Sequence, residues 1–188
     1  MRVITGMYRG RTINTVKDLS VRPATERVRQ TIFNMLANRM EFEGARVLDL
    51  FAGSGSLGLE ALSRGAVHAT FVEQGSDAVE YIERNVRAFR CEERTEILEM
   101  DAMRYLDSTQ GQFDLVFADP PYSFEPTALI PEIICDKGIV RPGGYLVVEH
   151  AGEVTLHTTS SYTAGPTKKF GRTIVTFFQP TTGRIPAP

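Results

Sequence analysis

Two hydrophobic periods alternate along this chain, and each switch between them marks an element. From residue 46, short runs rich in β-branched and aromatic residues are followed by stretches with helical spacing. RVLDLF, HATFVE, TEILEMD, FDLVFAD and GYLVVEH read as strands. SLGLEALSRG, SDAVEYIERNVRAF, AMRYL and TALIPEIICDKG read as the intervening helices. In the second of these, Ala78, Val79, Ile82, Val86 and Phe89 mark the buried side. This βαβα rhythm predicts a mostly parallel sheet with helices on both faces.

The two ends follow other patterns. EVTLHTTSSYT and RTIVTFFQ are β-rich, with a Gly/Pro/Lys loop between them and no room for a crossover helix. They predict an antiparallel pair at the sheet edge, for seven strands in all. At the other end RVITGMYRGRTINTV reads as a small hairpin. A helix then runs from about Pro23, a residue suited to a first turn, to Asn38. Val28, Ile32, Phe33, Leu36 and Met40 form its apolar stripe, which leaves Arg27, Arg29 and Arg39 pointing elsewhere. The expected division is a basic hairpin-and-helix extension at 1–40, a main domain at 41–180 and a frayed tail at 181–188.

Composition narrows the class. The chain has 188 residues, 42% hydrophobic and 23% charged, enough for one domain with a real core. No apolar run nears the roughly 20 residues needed to span a bilayer. The opening MRVITGMYRGR has no continuous apolar stretch, so no secretory signal is expected. Cys91 and Cys135 lack redox or metal spacing and read as reduced thiols of a cytoplasmic protein. Three scattered histidines predict no metal site. The net charge of −2 hides an asymmetry: +6 over residues 1–39, −11 over 40–150 and +3 over 151–188. Basic ends around an acidic middle suit a polyanion held from both sides, and equally suit solubilising surface charge.

Two motifs carry chemistry. In LDLFAGSGSLGLEALSRG, Gly53, Gly55 and Gly58 fit the G-x-G-x-x-G spacing at a strand-to-helix turn. Glu73 follows Gly53 by twenty residues, where a carboxylate accepts from ribose hydroxyls. No G-K-[ST] is present, which argues against a triphosphate loop. Asp49 lies just under the bend, where it would repel a pyrophosphate and suit a cation. Asp101, at the end of the third strand, is placed to accept from an adenine amine. Three acids at consecutive strand ends describe a pocket for S-adenosylmethionine, a cationic nucleoside without phosphate. Taken singly, Asp49 and Asp101 also fit helix caps.

ADPPY, residues 118–122, ends the fourth strand on the same edge. An exocyclic amine on a base is a poor nucleophile, because its lone pair is delocalised into the ring. The Asp119 carboxylate and the Pro120 carbonyl can accept its two N–H bonds and turn the lone pair outward. The prolines stiffen the turn and remove competing N–H donors. Tyr122 can stack on the base. Read alone, D-P-P-Y also fits a capped Pro-Pro turn.

The motif order resembles that of class I methyltransferases, which have a Rossmann-like fold and act on exocyclic amines. RVITGMYRGR, RPATERVRQTIFNML, LDLFAGSGSLGLEALSRGA, FVE, FADPPY and GGYLVVEH together resemble the RsmD-type family, from residue 1 to about 178. That resemblance implies methylation of a guanine N2 amine in 16S ribosomal RNA; the expected substrate form is the 30S subunit or an assembly intermediate, and the expected state is a monomer. It implies cofactor contacts at Asp49, Phe51, Gly53, Gly55, Glu73, Gln74, Asp101 and Ala102. It gives Asp119, Pro120 and Tyr122 the grip on the amine. Arg9, Arg11, Arg22, Arg27 and Arg29 would meet RNA, with Lys168 and Lys169, in the loop before the last strand, as a second phosphate contact.

The main alternative is a DNA adenine-N6 methyltransferase, which shares D-P-P-Y. Such enzymes add a target-reading domain, and only the 40-odd head residues are spare here. A non-catalytic scaffold would not need Asp119, Tyr122 and the cofactor acids, and a nicotinamide oxidoreductase has no use for Asp49 or D-P-P-Y.

Overall fold

The computed structural model describes residues 1–15, 23–157 and 159–181, with side chains in the first helix from Glu26 onward. Arg22 and residues 182–188 of the expected tail lie outside them. The predicted rhythm is present: α1 (Pro23–Ala37), β1 (Arg46–Leu50), α2 (Ser56–Ser63), β2 (His68–Glu73), α3 (Ser76–Phe89), β3 (Thr95–Glu99), α4 (Ala102–Ser108), β4 (Phe113–Ala118), α5 (Ile130–Asp136), β5 (Val140–Ala151), β6 (Tyr162–Phe170) and β7 (Thr173–Pro180). The strands form one sheet in the order β3-β2-β1-β4-β5-β7-β6. β1 to β5 pair in parallel, and β7 runs antiparallel to both its neighbours. β6 therefore ends at the same edge as β1 to β5. The strand order reverses between β1 and β4, which opens a crevice at their carboxyl ends.

Alternate residues feed two cores, as a sheet covered on both faces requires. Val47, Phe71, Leu115, Phe117, Val147 and Phe177 face the side of α1, α2 and α3. Leu48, Val72, Val116, Leu146, Val148 and Phe178 face the side of α4 and α5. The α1 stripe packs as predicted: Val28, Ile32, Phe33 and Leu36 are buried, with the Phe33 ring 5.5 Å from that of Phe117. Met40 is half-buried beyond the helix end. Among the described residues, no helix is long and apolar enough to cross a membrane, and no three His, Cys, Asp or Glu side chains gather into a metal-binding group.

Two expectations are corrected. Lys168 and Lys169 lie inside β6, not in a loop before the last strand. The turn is only Gly171 and Arg172, with Gly171 at φ 62°. A left-handed glycine lets so short a link close a hairpin. Arg29 does not point outward. It is 2% exposed, and its guanidinium donates to the Arg2 carbonyl and the Met1 sulfur. Burial lowers its pKa, partly offset by Glu60 and Glu26.

Arg29 belongs to the fastening of the head. Residues 1–13 form a hairpin closed by one bridge, Arg2 to Thr12. It is pinned onto α2 by Glu60, which is fully buried and accepts from Ile4 N at 2.8 Å, Thr5 N at 3.1 Å and Arg64 Nε at 2.9 Å. Met7 N donates to the Ser63 carbonyl at 2.8 Å. Gly6, at φ 86°, lies so close that a β-carbon would fall 1.7 Å from that carbonyl oxygen. A carboxylate facing three donors is stable when buried, whereas an amide leaves one donor facing another. Glu60→Gln should therefore cost about 2 kcal/mol of unfolding free energy, read from urea denaturation. Unchanged stability would mean that head docking does not depend on the charge.

Candidate active site

The edge is built from a bend that only certain residues permit. β1 ends at Leu50, and Phe51 turns the chain with a left-handed φ of 58°, rare for an aromatic residue. Its ring is braced edge-on against Phe124, centroids 5.0 Å apart. Gly53 (φ 55°) continues the bend, and Gly55 (φ 76°) caps α2. Gly58 then allows close packing: a β-carbon there would stand 2.4 Å from the Phe71 ring. Its N–H donates to Asp49 Oδ2 at 2.9 Å.

Glu73, at the end of β2, closes the bend from the side. Its Oε2 accepts from Gly53 N at 2.9 Å and its Oε1 from Gly75 N at 2.8 Å. Two N–H donors fix the carboxylate, and each oxygen keeps a lone pair for a ligand hydroxyl. A cleft of about 250 Å³ opens here. Phe51, Glu73, Gln74 and Ala102, four of the expected cofactor contacts, line it, and Asp119 closes the far side. The glycine bend and the D-P-P-Y turn thus share one cavity. Val72, Met100 and Pro121 also line it and were not anticipated. Pro121 stood in the quoted motif, but nothing told which of the two prolines faces inward. Pro120 is buried beneath.

Other predicted residues have different surroundings. Asp49 is 2% exposed and braces α2 from below without reaching the cleft wall. Asp101 is exposed and caps α4, accepting from Arg104 N at 2.9 Å. Its helix-cap reading is realised, and it is not on the wall either. Tyr122 is 70% exposed, its hydroxyl 2.7 Å from Thr173 Oγ1 at the start of β7. Its ring stands free beside the turn, over the β7 side of the edge.

The acids share one face. Lateral pairing sets Asp49 beside Phe117 and Phe117 beside Val147. Two residues on from the latter pair, Asp119 and Glu149 project toward the same side. Burial pushes Asp49 up to about 8, the Gly58 N–H opposes it, and Asp119 and Glu73 add to the rise. Asp119 is open to solvent through the cleft mouth, but protein crowds its other sides and pushes it up to about 6. Glu149, half-buried, is raised well above the carboxylate range by burial, then by Asp119 and Asp49. Sequence reasoning quoted GGYLVVEH yet gave Glu149 no role. Its place beside the end of β4 comes from lateral pairing, Ala118 with Val148, which the sequence did not show.

The basic residues are not gathered in one place. Arg9 and Arg11 are exposed on the head, the Arg11 guanidinium 5.7 Å from the Tyr8 ring centroid and 5.3 Å from that of Phe89. Arg27 is exposed on α1. Lys168 and Lys169 are exposed on the opposite border strand. Lys168 pairs with Val175, which pairs with Glu149, so lysine and glutamate share a row and a face.

Known proteins are similar to this chain over most of its length. The ribosomal RNA small subunit methyltransferase D of Escherichia coli K12 is 38% identical over 158 residues, spanning 84% of this chain and 78% of that protein. The Haemophilus influenzae protein of the same name is 33% identical over 166 residues, or 87% and 85% of the two chains. A solved Escherichia coli structure, provisionally assigned as the methyltransferase yhhF, superposes with a TM-score of 0.83 at 31% identity, covering 96% of this chain and 97% of that one. The Rossmann-like methyltransferase fold follows from that match and the sheet order. Residues 1–179 match the family described as conserved hypothetical protein 95. The chain belongs to that family, the RsmD-type family whose motifs it carries.

Proposed function

We propose that this chain methylates the exocyclic N2 amine of a guanine in 16S ribosomal RNA, using S-adenosylmethionine, on the 30S subunit or an assembly intermediate. It acts as a cytoplasmic monomer, with residues 1–40 as an RNA-facing extension of a methyltransferase domain at 41–180. The observation that carries this reading is the single cleft shared by Glu73, at the glycine bend, and Asp119, in D-P-P-Y. The relatives named for small-subunit ribosomal RNA support the substrate class and do not favour the DNA adenine alternative.

The cleft residues fit the cofactor. Glu73 and Gln74 suit ribose hydroxyls, and Phe51 and Ala102 offer apolar contact to a nucleoside. The acids disfavour a phosphate-bearing cofactor and suit a cation. Asp49 acts from beneath, by holding the first turn of α2, and a bound cation would favour its ionised form. When bound, S-adenosylmethionine supplies an electrophilic methyl group on a sulfonium.

The chain's own residues prepare the acceptor. An Asp119 carboxylate oxygen and the Pro120 carbonyl accept the two N–H bonds of the amine, which frees its lone pair. As the nitrogen gains positive charge, its proton passes to the Asp119 carboxylate. The rigid Pro-Pro turn fixes this geometry in advance. Tyr122 stacks on a base withdrawn from its neighbours, at a cost of roughly a few kcal/mol. Arg9, Arg11 and Arg27 of the head and α1, and Lys168 and Lys169 of β6, hold phosphates.

The test is methyl transfer to stripped 16S RNA, to small subunits lacking the modification and to duplex DNA, with the product nucleotide mapped. Transfer to guanine N2 in ribosomal substrates is expected, and transfer to adenine in DNA would overturn the reading. Asp119→Ala should lower kcat by about 100-fold or more while cofactor affinity, measured by calorimetry, stays within a few-fold. Retained turnover would remove Asp119 from the chemistry. Asp49 gives a pH signature. Its folded pKa of about 8 lies above the unfolded value, so its neutral form is favoured by folding. The stability it contributes is full below about pH 4 and falls as pH rises toward 8. Asp49→Asn, whose carbonyl can still accept from Gly58 N, should flatten part of that fall in denaturation curves between pH 5 and 8. Equal slopes would mean that Asp49 is ionised in the folded protein.

A further inference from the structure

Resting on the guanine-N2 reading, we propose that Glu149 is the residue that selects guanine, its carboxylate accepting the base's N1–H beside the amine held by Asp119. The sheet order divides the edge between two ligands. The cleft lies over β1, β2 and β3, with Asp119 as its far wall. The other side of Asp119, over β5 and β7, is left for the acceptor base. Two features mark that ground. Tyr122 reaches across to Thr173 at the start of β7. Glu149 stands between, because Ala118 pairs with Val148 and Glu149 pairs with Val175. Adjacent strands lie about 4.8 Å apart, so Ala118 and Val148 are neighbours at that spacing and Asp119 and Glu149 are the next residue on from each.

The chemistry of the two bases then decides. Guanine presents N1–H and the N2 amine side by side, a row of donors that two adjacent carboxylates match. Adenine presents an amine beside a bare N1 acceptor, which the ionised carboxylate repels; because burial raises the Glu149 pKa, that rejection strengthens as pH rises. Glu149 makes no hydrogen bond or ion pair with the other described residues, and it is half-buried. A half-buried acceptor without a donor is costly, and a guanine edge supplies the donor. A site built to hydrogen-bond one group strongly rejects an analogue that lacks it. Lys168, two strands away in the same row, is placed to take the phosphate of the same nucleotide.

The experiment uses the full chain and small subunits in which the guanine methylated by wild type is replaced by 2-aminopurine. That base keeps the amine but has an acceptor at N1. Wild type should prefer guanine by at least about 100-fold in kcat/KM. Glu149→Gln, whose amide can donate to N1, should narrow that preference by about tenfold or more. Comparing the variant's preference with that of wild type cancels the intrinsic reactivity of the two amines. Glu149→Asp keeps a carboxylate at shorter reach; it should be slower on guanine yet still reject 2-aminopurine, which a general loss of structure would not produce. Cofactor KM should stay within a few-fold in both, since Glu149 is not on the cofactor wall. An unchanged preference in Glu149→Gln would overturn the assignment. No transfer to guanine by wild type would instead sink the guanine-N2 reading beneath it.

Discussion

The structure turns on the bond from Gly58 N–H to Asp49 Oδ2, under the first turn of α2. It joins the central strand to the helix that carries everything else. On its inner side α2 presses on Phe71 so closely that no side chain fits at Gly58. On its outer side Glu60 and Ser63 hold the head. A second buried polar group ties the same parts from α3. Asn85, fully buried, donates to the Ser54 carbonyl in the bend and to the Asn14 carbonyl in the head, at 3.0 and 2.9 Å. Its own carbonyl accepts from Asn14 N at 2.8 Å. Head, bend and sheet are therefore one rigid assembly, fastened by buried groups with few alternatives.

Electrostatics restricts what this edge can receive. Asp49, Asp119 and Glu149 share one face, and each is raised by lost hydration. Such a cluster lowers its energy by binding cations or N–H donors and raises it by binding anions. The two ligands proposed here satisfy that condition at their reacting ends, one as a sulfonium with an amino group and the other as a guanine edge. The RNA phosphates must lie elsewhere. The exposed arginines of the head and α1, and the lysines of β6, are carried on elements other than the strand ends that hold these acids.

What the sequence disclosed and what it hid follow from the range of the interactions concerned. Strand and helix order, the glycine bend and the strand-end position of D-P-P-Y are local, so periodicity and spacing revealed them. Arg29 was misread because a charge on a helix is ordinarily exposed. Its partners, the Arg2 carbonyl and Met1, come from more than 25 residues away. Lys168 and Lys169 were taken for loop residues because Gly165 and Pro166 precede them. The strand instead absorbs those two as a register shift between Ala164 and Thr167. Asp101 was ambiguous between ligand and cap, and the choice rested on whether Arg104 N needed an acceptor. Glu149 escaped notice because its meaning depends on lateral pairing with β4, which no single strand encodes.

The antiparallel hairpin at the sheet edge then acquires a reason beyond closing the fold. A purely parallel sheet ending at β5 would leave Asp119 and Glu149 at its border, with no floor for an acceptor. β7 provides that floor and supplies Thr173, which holds the Tyr122 hydroxyl. Because β7 runs against its neighbours, it needs only a two-residue turn from β6, and that short turn sets the end of β6 at the active edge. Lys168 and Lys169 arrive there as a consequence. The same reversal of one strand thus creates the base platform and a cationic border beside it, without lengthening the chain by a separate recognition domain.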